Sequence, residues 1–169
     1  MRRGESLFST EEKEYFMREA LKEAKKASVI DEVPIGAVIV KNNQIIGRGY
    51  NQRETSKQAT SHAEIFAIQE ANDFLDNWRL EDCAIFISLE PCPMCAGAIM
   101  MSRIPYVYYA ASDKKGGTAG SLMNLLEDER FNHQSHVEAN LLQEEASKML
   151  KDFFKELRMK KKERKSKID

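Results

Sequence analysis

The sequence predicts a single three-layer α/β/α sandwich, with helices on both faces of a central mixed five-stranded sheet. Three observations lead there. Helix-period and strand-length apolar segments alternate along the chain, the pattern of α/β domains. The runs 35–40 and 84–89 are apolar without polar alternation, as strands covered on both faces are. Finally, 169 residues at 42% hydrophobic and 31% charged content suit one domain, residues 1–169, able to bury a real core. We place its core at about 11–158, with 159–169 as a basic tail.

Ser9-Thr10-Glu11-Glu12 is a capping box, and Tyr15, Phe16, Ala20, Leu21 and Ala24 follow at helical spacing, so a first helix runs to about Ser28. After Pro34, Ile35 to Val40 and Gln44 to Tyr50 form two strands joined at Asn42-Asn43. Residues 51–61 are polar, carry no period and read as a loop. Ile65, Phe66, Ile68, Ala71, Phe74 and Leu75 define a second helix starting at Ala63, and Ala84 to Leu89 a buried third strand. Pro91 holds Glu90 extended, whereas Pro93 suits the first turn of a helix, so a third helix spans about Pro93 to Ser102. Pro105 to Ala110 is strand four. The glycine-rich stretch 116–121 is a mobile or specially shaped loop. Leu122 to Leu126 is expected as a short helix, Val137 to Leu142 as the fifth strand, and Glu144 to about Lys162 as a long last helix, with only the final few residues disordered.

No run approaches the roughly 18 apolar residues of a membrane span, and no secretory signal is evident, so a soluble cytoplasmic protein is expected. The net charge of −1 is unevenly placed. From Lys151 to Asp169 nine basic residues face four acidic ones, which makes that segment +5 and the rest −6. Such a tail suits phosphate.

Three cysteines argue against a disulfide framework, and Cys92 and Cys95, spaced i and i+3, point to a metal. His62-Ala63-Glu64 stands thirty residues upstream of Cys92. His-x-Glu followed by Pro-Cys-x-x-Cys resembles the signature of zinc-dependent nucleobase and nucleoside deaminases. Three protein ligands, His62, Cys92 and Cys95, leave a fourth position for water, and a helix N-terminus at the cysteines favours their thiolates. Glu64, two residues past His62, does not share its helical face and is free to act as a base.

The resemblance widens. Glu32 to Val38, Tyr50-Asn51, Ser61 to Glu64, Leu89 to Ala98, Gly120 to Met123 and Asp152-Phe153-Phe154 together resemble bacterial tRNA adenosine deaminases, of cytidine deaminase-like fold. That resemblance implies a homodimer with one Zn2+ per subunit, acting on a tRNA anticodon stem-loop, with neither membrane nor DNA as partner. It also implies hydrolytic conversion of the wobble adenosine of an arginine tRNA to inosine. Zinc-activated hydroxide attacks C6 in that scheme, Glu64 shuttles protons, and ammonia leaves. By position, Asn51 matches a residue that hydrogen-bonds the target nucleoside and Asp113 one beside the anticodon loop. Phe153 and Phe154 match the start of an RNA-contacting portion of the last helix; one of the pair is expected in the core and the other, assigned as Phe154, against substrate. An unpaired loop base suits such an enzyme, since little unpairing is needed.

Competing readings stand beside these. Cys83 or His133 could complete a closed structural zinc site, against which Glu64 argues. His133 and His136 otherwise belong to a polar loop. A free nucleobase or nucleotide deaminase, of guanine or cytosine type, would share the zinc motif. A non-catalytic RNA-binding subunit would ordinarily lack Glu64.

Overall fold

A computed structural model describes residues 7–167. The first helix, α1 (Thr10–Val29), begins with the expected reciprocal cap: Glu12 N donates to the Ser9 hydroxyl, and Ser9 N donates to the Glu12 carboxylate. Strands β1 (Gly36–Lys41) and β2 (Gln44–Tyr50) form a hairpin. Asn42 and Asn43 both take positive φ, 50° and 57°, the turn geometry that matches the twist of paired strands. Next come α2 (Arg53–Ser56), α3 (Ala63–Leu75), β3 (Ala84–Leu89), α4 (Pro93–Met101), β4 (Tyr106–Ala111), β5 (His136–Glu138) and α5 (Gln143–Ser166).

The five strands lie in the order β2-β1-β3-β4-β5. β1 is antiparallel to both its neighbours, whereas β3, β4 and β5 run parallel, so the sheet is mixed as expected. Its inner strands split their side chains evenly between two cores. Ala37, Ile39, Ile85, Ile87, Val107 and Tyr109 meet α3 and α4 on one face; Val38, Val40, Ala84, Phe86, Tyr108 and Ala110 meet α1 and α5 on the other. Burial on both faces is why β1 and β3 show no polar alternation. Phe86 stacks on Tyr108 at 4.6 Å, Phe8 meets both rings edge-on, and Phe16 lies tilted at 44° against Phe86.

The helix expected over Leu122–Leu126 does not form. Ser121 N is taken by the Glu90 carboxylate and Leu122 N by Gly117 O, while Leu122 and Met123 stay exposed, so neither the hydrogen bonds nor a buried face for a helix exist. Ala119 and Asn124 form an isolated bridge instead. The fifth strand is also shorter than 137–142. Asn140 and Leu142 adopt positive φ, 65° and 54°, which turns the chain out of the sheet just after Glu138. The loop 51–61 contains the single turn α2, and His136 opens β5 rather than sitting in a loop. The last helix outruns its expected end and reaches Ser166; the final residues 168 and 169, expected to be disordered, lie outside the described residues. No helix among the described residues is long and apolar enough to cross a membrane.

Candidate active site

Two helix starts converge at one end of the sheet. His62 is the N-cap of α3 and Cys92 the N-cap of α4, both with extended backbone (φ −90°, ψ 154° and φ −74°, ψ 173°). Neither side chain caps its own helix, so both are free to face the site. Pro93 occupies the first helical position, where its missing N–H costs nothing, and Cys95 follows within the first turn.

The depth of α3 is set by the neighbouring strand. A Cβ at Gly49 would lie 2.1 Å from Ala63 O, so the helix start rests directly on β2. That contact is one residue from His62.

The Nδ1 of His62 stands 3.7 Å from Cys92 Sγ and 3.6 Å from Cys95 Sγ. All three donor atoms lie within 4.8 Å of one another. Zn–S of about 2.3 Å and Zn–N of about 2.0–2.1 Å at a tetrahedral angle imply a sulfur-to-nitrogen separation of roughly 3.5 Å, so the donors fit zinc without rearrangement. A hydrogen bond from Cys95, together with His62, pulls the Cys92 thiol down to about 4, whereas the same contact and burial push Cys95 up. A divalent cation held by His62, Cys92 and Cys95 would remove that asymmetry by favouring both sulfurs as thiolates. Among the described residues neither His133 nor Cys83 joins the group. His133 Nε2 instead sits 2.9 Å from Ile104 O, and Cys83 is fully buried.

Glu64 lies in the first turn of α3, 3% exposed, and its Oε2 has no hydrogen-bond partner. Burial pushes its carboxyl up to about 7, with the neighbouring Cys92 charge adding to the effect. A buried carboxyl that holds or releases a proton near neutrality, beside three metal donors, is equipped as a general acid and base.

A cavity of ≈ 250 Å³ opens onto these groups, and Asn51, Arg53, Glu90 and Asp113 line it along with His62, Glu64 and Cys92. The structure therefore brings Asn51 and Asp113 to the metal donors. Phe154 does not line that cavity. It is 40% exposed on α5, edge-on to Phe153 at 5.5 Å, and Phe153 is only half-buried, so neither ring enters the core.

Two buried glutamates hold the cavity walls, and sequence reasoning missed both roles. Glu90, 2% exposed, accepts from the backbone N–H groups of Asp113 (2.9 Å), Ala119 (3.1 Å) and Ser121 (2.8 Å), and from the Ser121 hydroxyl. Burial opposes its ionisation, but these donors outweigh it and hold the carboxyl below its ordinary value. Glu32, 1% exposed, accepts from Thr55 N and from the Asn51 amide. Asn51 Nδ2 also donates to Val33 O at 3.2 Å, and its Oδ1 accepts from Arg53 N at 3.2 Å. The readable signal was a charged residue at the edge of an apolar, proline-flanked run, because a carboxylate entering a core must find donors.

A three-layer α/β/α domain with a His-Cys-Cys group able to hold a metal ion and a buried glutamate with one unpartnered oxygen at its helix starts is a deaminase of the cytidine deaminase-like class. The pattern describing MafB19-like deaminases matches residues 11–158. The tRNA-specific adenosine deaminase of Bacillus subtilis (strain 168) is 54% identical over 149 residues, 88% of this chain and 92% of that protein. A solved tRNA:A34 deaminase, studied for A-to-I editing at the wobble position of transfer RNA, superposes with a TM-score of 0.77 at 39% identity, over 80% of this chain and 99% of that one. A guanine deaminase structure from Bacillus subtilis gives a TM-score of 0.56 at 42% identity, but over 59% of this chain and 64% of its own. The chain belongs to the MafB19-like deaminase family and, within it, to the tRNA-specific adenosine deaminases.

Proposed function

We propose that this chain is a cytoplasmic hydrolase that converts the wobble adenosine of an arginine tRNA anticodon to inosine and releases ammonia. The observation that carries it is the orphaned Glu64 Oε2 beside the three donors, in a cavity reached from solvent. Zinc, held by His62, Cys92 and Cys95, would supply Lewis-acid activation of water at its fourth position. Glu64 Oε2 then takes a proton, passes it to the purine ring and helps protonate the departing amine. Its poise near pH 7 allows one carboxyl to serve both transfers. Asn51 and Asp113 stand where a nucleoside in the cavity would be oriented, and Phe154 is assigned to RNA outside the cavity.

Two copies are proposed to associate through α4. That helix is apolar all round, and Met94, Gly97 and Ala98 remain partly exposed, with Met101 68% exposed. A helix of that composition is normally covered on every side.

The deciding experiment measures inosine in an arginine tRNA bearing adenosine at the wobble position, with guanine, cytidine and free adenosine in parallel. Reaction of the tRNA alone is expected; reaction of guanine alone would move the assignment to the free-base enzymes. Chelation should abolish the activity and zinc restore it.

A further inference from the structure

The sheet splits where the cavity opens. β1 and β3 are paired from Val40 opposite Ala84 to Ala37 opposite Ile87, and the ladder ends there. Beyond that pair each strand keeps only its outer neighbour. On one lip Gly36 still faces Tyr50, and Asn51 N donates to Ile35 O at 3.0 Å, so the lead into β1 follows β2. On the other lip Leu89 faces Ala111, and Glu90 N donates to Ala111 O at 2.8 Å, so the exit of β3 follows β4. Val33 and Ile35 line the cavity from the first lip, Leu89 and Glu90 from the second. The substrate cavity is bounded by a parting between two strands of one sheet.

At the apex of the split a side chain takes over from the ladder. Gly36 and Ser88 come next in register and do not pair; the buried Gly36 N–H donates to the Ser88 hydroxyl at 3.0 Å instead. Ser88 is 2% exposed and does not line the cavity. Two residues from Phe86, it shares that ring's face of β3, toward α1. The same helix presses on Gly36, where a Cβ would lie 2.1 Å from Ala20 O, so the strand has no room to shift that way.

We propose that Ser88 is a positioning residue for the substrate: its hydroxyl halts the β1–β3 ladder and so sets the width of the slot that receives the target ring. This deepens the deaminase reading above and rests on it. A buried N–H must find an acceptor. With the hydroxyl gone, the Gly36 N–H is left to the backbone of β3, and pairing there zips the ladder one residue further toward the cavity. Paired strands lie about 4.8 Å apart. A flat ring touching a wall on each side needs about 7 Å between them. The slot therefore exists only where the ladder has stopped, and one more step draws Ile35 and Leu89 together.

The test compares the zinc-loaded full chain with Ser88→Thr and Ser88→Val. The two variants have the same shape and only the first keeps an acceptor, so their difference isolates the hydroxyl. On arginine tRNA, Ser88→Thr should stay within about twofold of the parent, whereas Ser88→Val should raise KM at least about tenfold with kcat changed less than about threefold. Zinc content should be equal in all three. Ser88→Ala adds no bulk and should share the KM defect, so the comparison with Ser88→Thr survives if Ser88→Val does not fold. Equal KM with and without the hydroxyl would overturn the proposal, as would a difference confined to Tm, which is all that a merely structural hydroxyl would produce. If the parent deaminates guanine and not tRNA, the same comparison is made on guanine: a KM split there keeps the slot and removes the RNA assignment, and no split removes both.

Discussion

Glu90 and Gly117 are in such close contact that a Cβ on Gly117 would lie 2.3 Å from the Glu90 carboxyl carbon. The carboxylate is thereby walled in by the loop it organises. Glu90→Gln keeps the shape but replaces one accepting oxygen by an N–H donor facing other donors. We expect about 1–3 kcal/mol of lost stability from unsatisfied backbone N–H groups, and a fall in turnover with zinc content intact. Urea unfolding and metal analysis of the same preparation check it; Gly117→Ala should show the same pair of effects.

The rest of α3 on β2 makes a second test. Gly49→Ala drives a methyl into Ala63 O, and backbone cannot yield unless the helix start lifts. A loss of about 1–3 kcal/mol is expected. Because His62 precedes Ala63, zinc affinity should fall as well, read by chelator competition. Stability lost with unchanged affinity would mean that the helix start does not set the histidine.

Glu64→Gln should remove at least about 10²-fold in turnover. Zinc should stay bound, since Glu64 is outside the donor set. The metal-free chain should not be destabilised, because the substitution replaces a carboxyl whose ionisation burial opposes with a neutral amide of the same shape. Differential scanning calorimetry of the metal-free parent and variant reads this directly.

Away from the site, Arg48 NH2 and NH1 reach Glu19 (2.8 Å) and the nearly buried Glu23 (3.2 Å) from β2. Arg48→Met should cost about 2 kcal/mol, less than the 3–5 of a fully buried pair because the guanidinium is partly exposed. Burial opposes Glu19 ionisation, but Lys22 and Arg48 outweigh it and hold the carboxyl below its ordinary 4.5. A depressed folded value stabilises the fold above about pH 4.5, and the gain is lost as pH falls through that lower value. The gap between parent and Arg48→Met should therefore narrow below pH 4.5, measured by urea unfolding at about pH 7 and about pH 3.5.

The metal donors and Glu64 were legible because their chemistry is local: a histidine and a glutamate two residues apart, two cysteines one turn apart, and a proline that starts a helix between them. The three inner strands were legible for a similar reason, since double-sided burial writes itself as an unbroken apolar run. What could not be read depended on distant partners. Glu90 meets donors 23 to 31 residues further along the chain, and those bonds also abolish the helix that the apolar content of Leu122–Leu126 suggested. β5 was overestimated because its end is set by backbone reversal at Asn140 and Leu142, which Leu141 and Leu142 permit by packing beside the opposite core. Phe153 and Phe154 were misjudged as a core and surface pair because α5 buries only a narrow line of side chains.

The manner in which Glu32 and Glu90 fasten the walls separates chemistry from recognition. Most of their bonds go to backbone N–H groups of Thr55, Asp113, Ala119 and Ser121, which every residue but proline provides. Side chains at 53 and 55 can thus be exchanged while the wall keeps its course and the metal donors theirs, whereas the Asp113 carboxylate itself accepts from Lys115 N and Gly116 N and belongs to the wall. The rim is in effect an interchangeable face on a fixed engine, and a library confined to positions 53 and 55 should yield altered substrate preference with the metal centre intact.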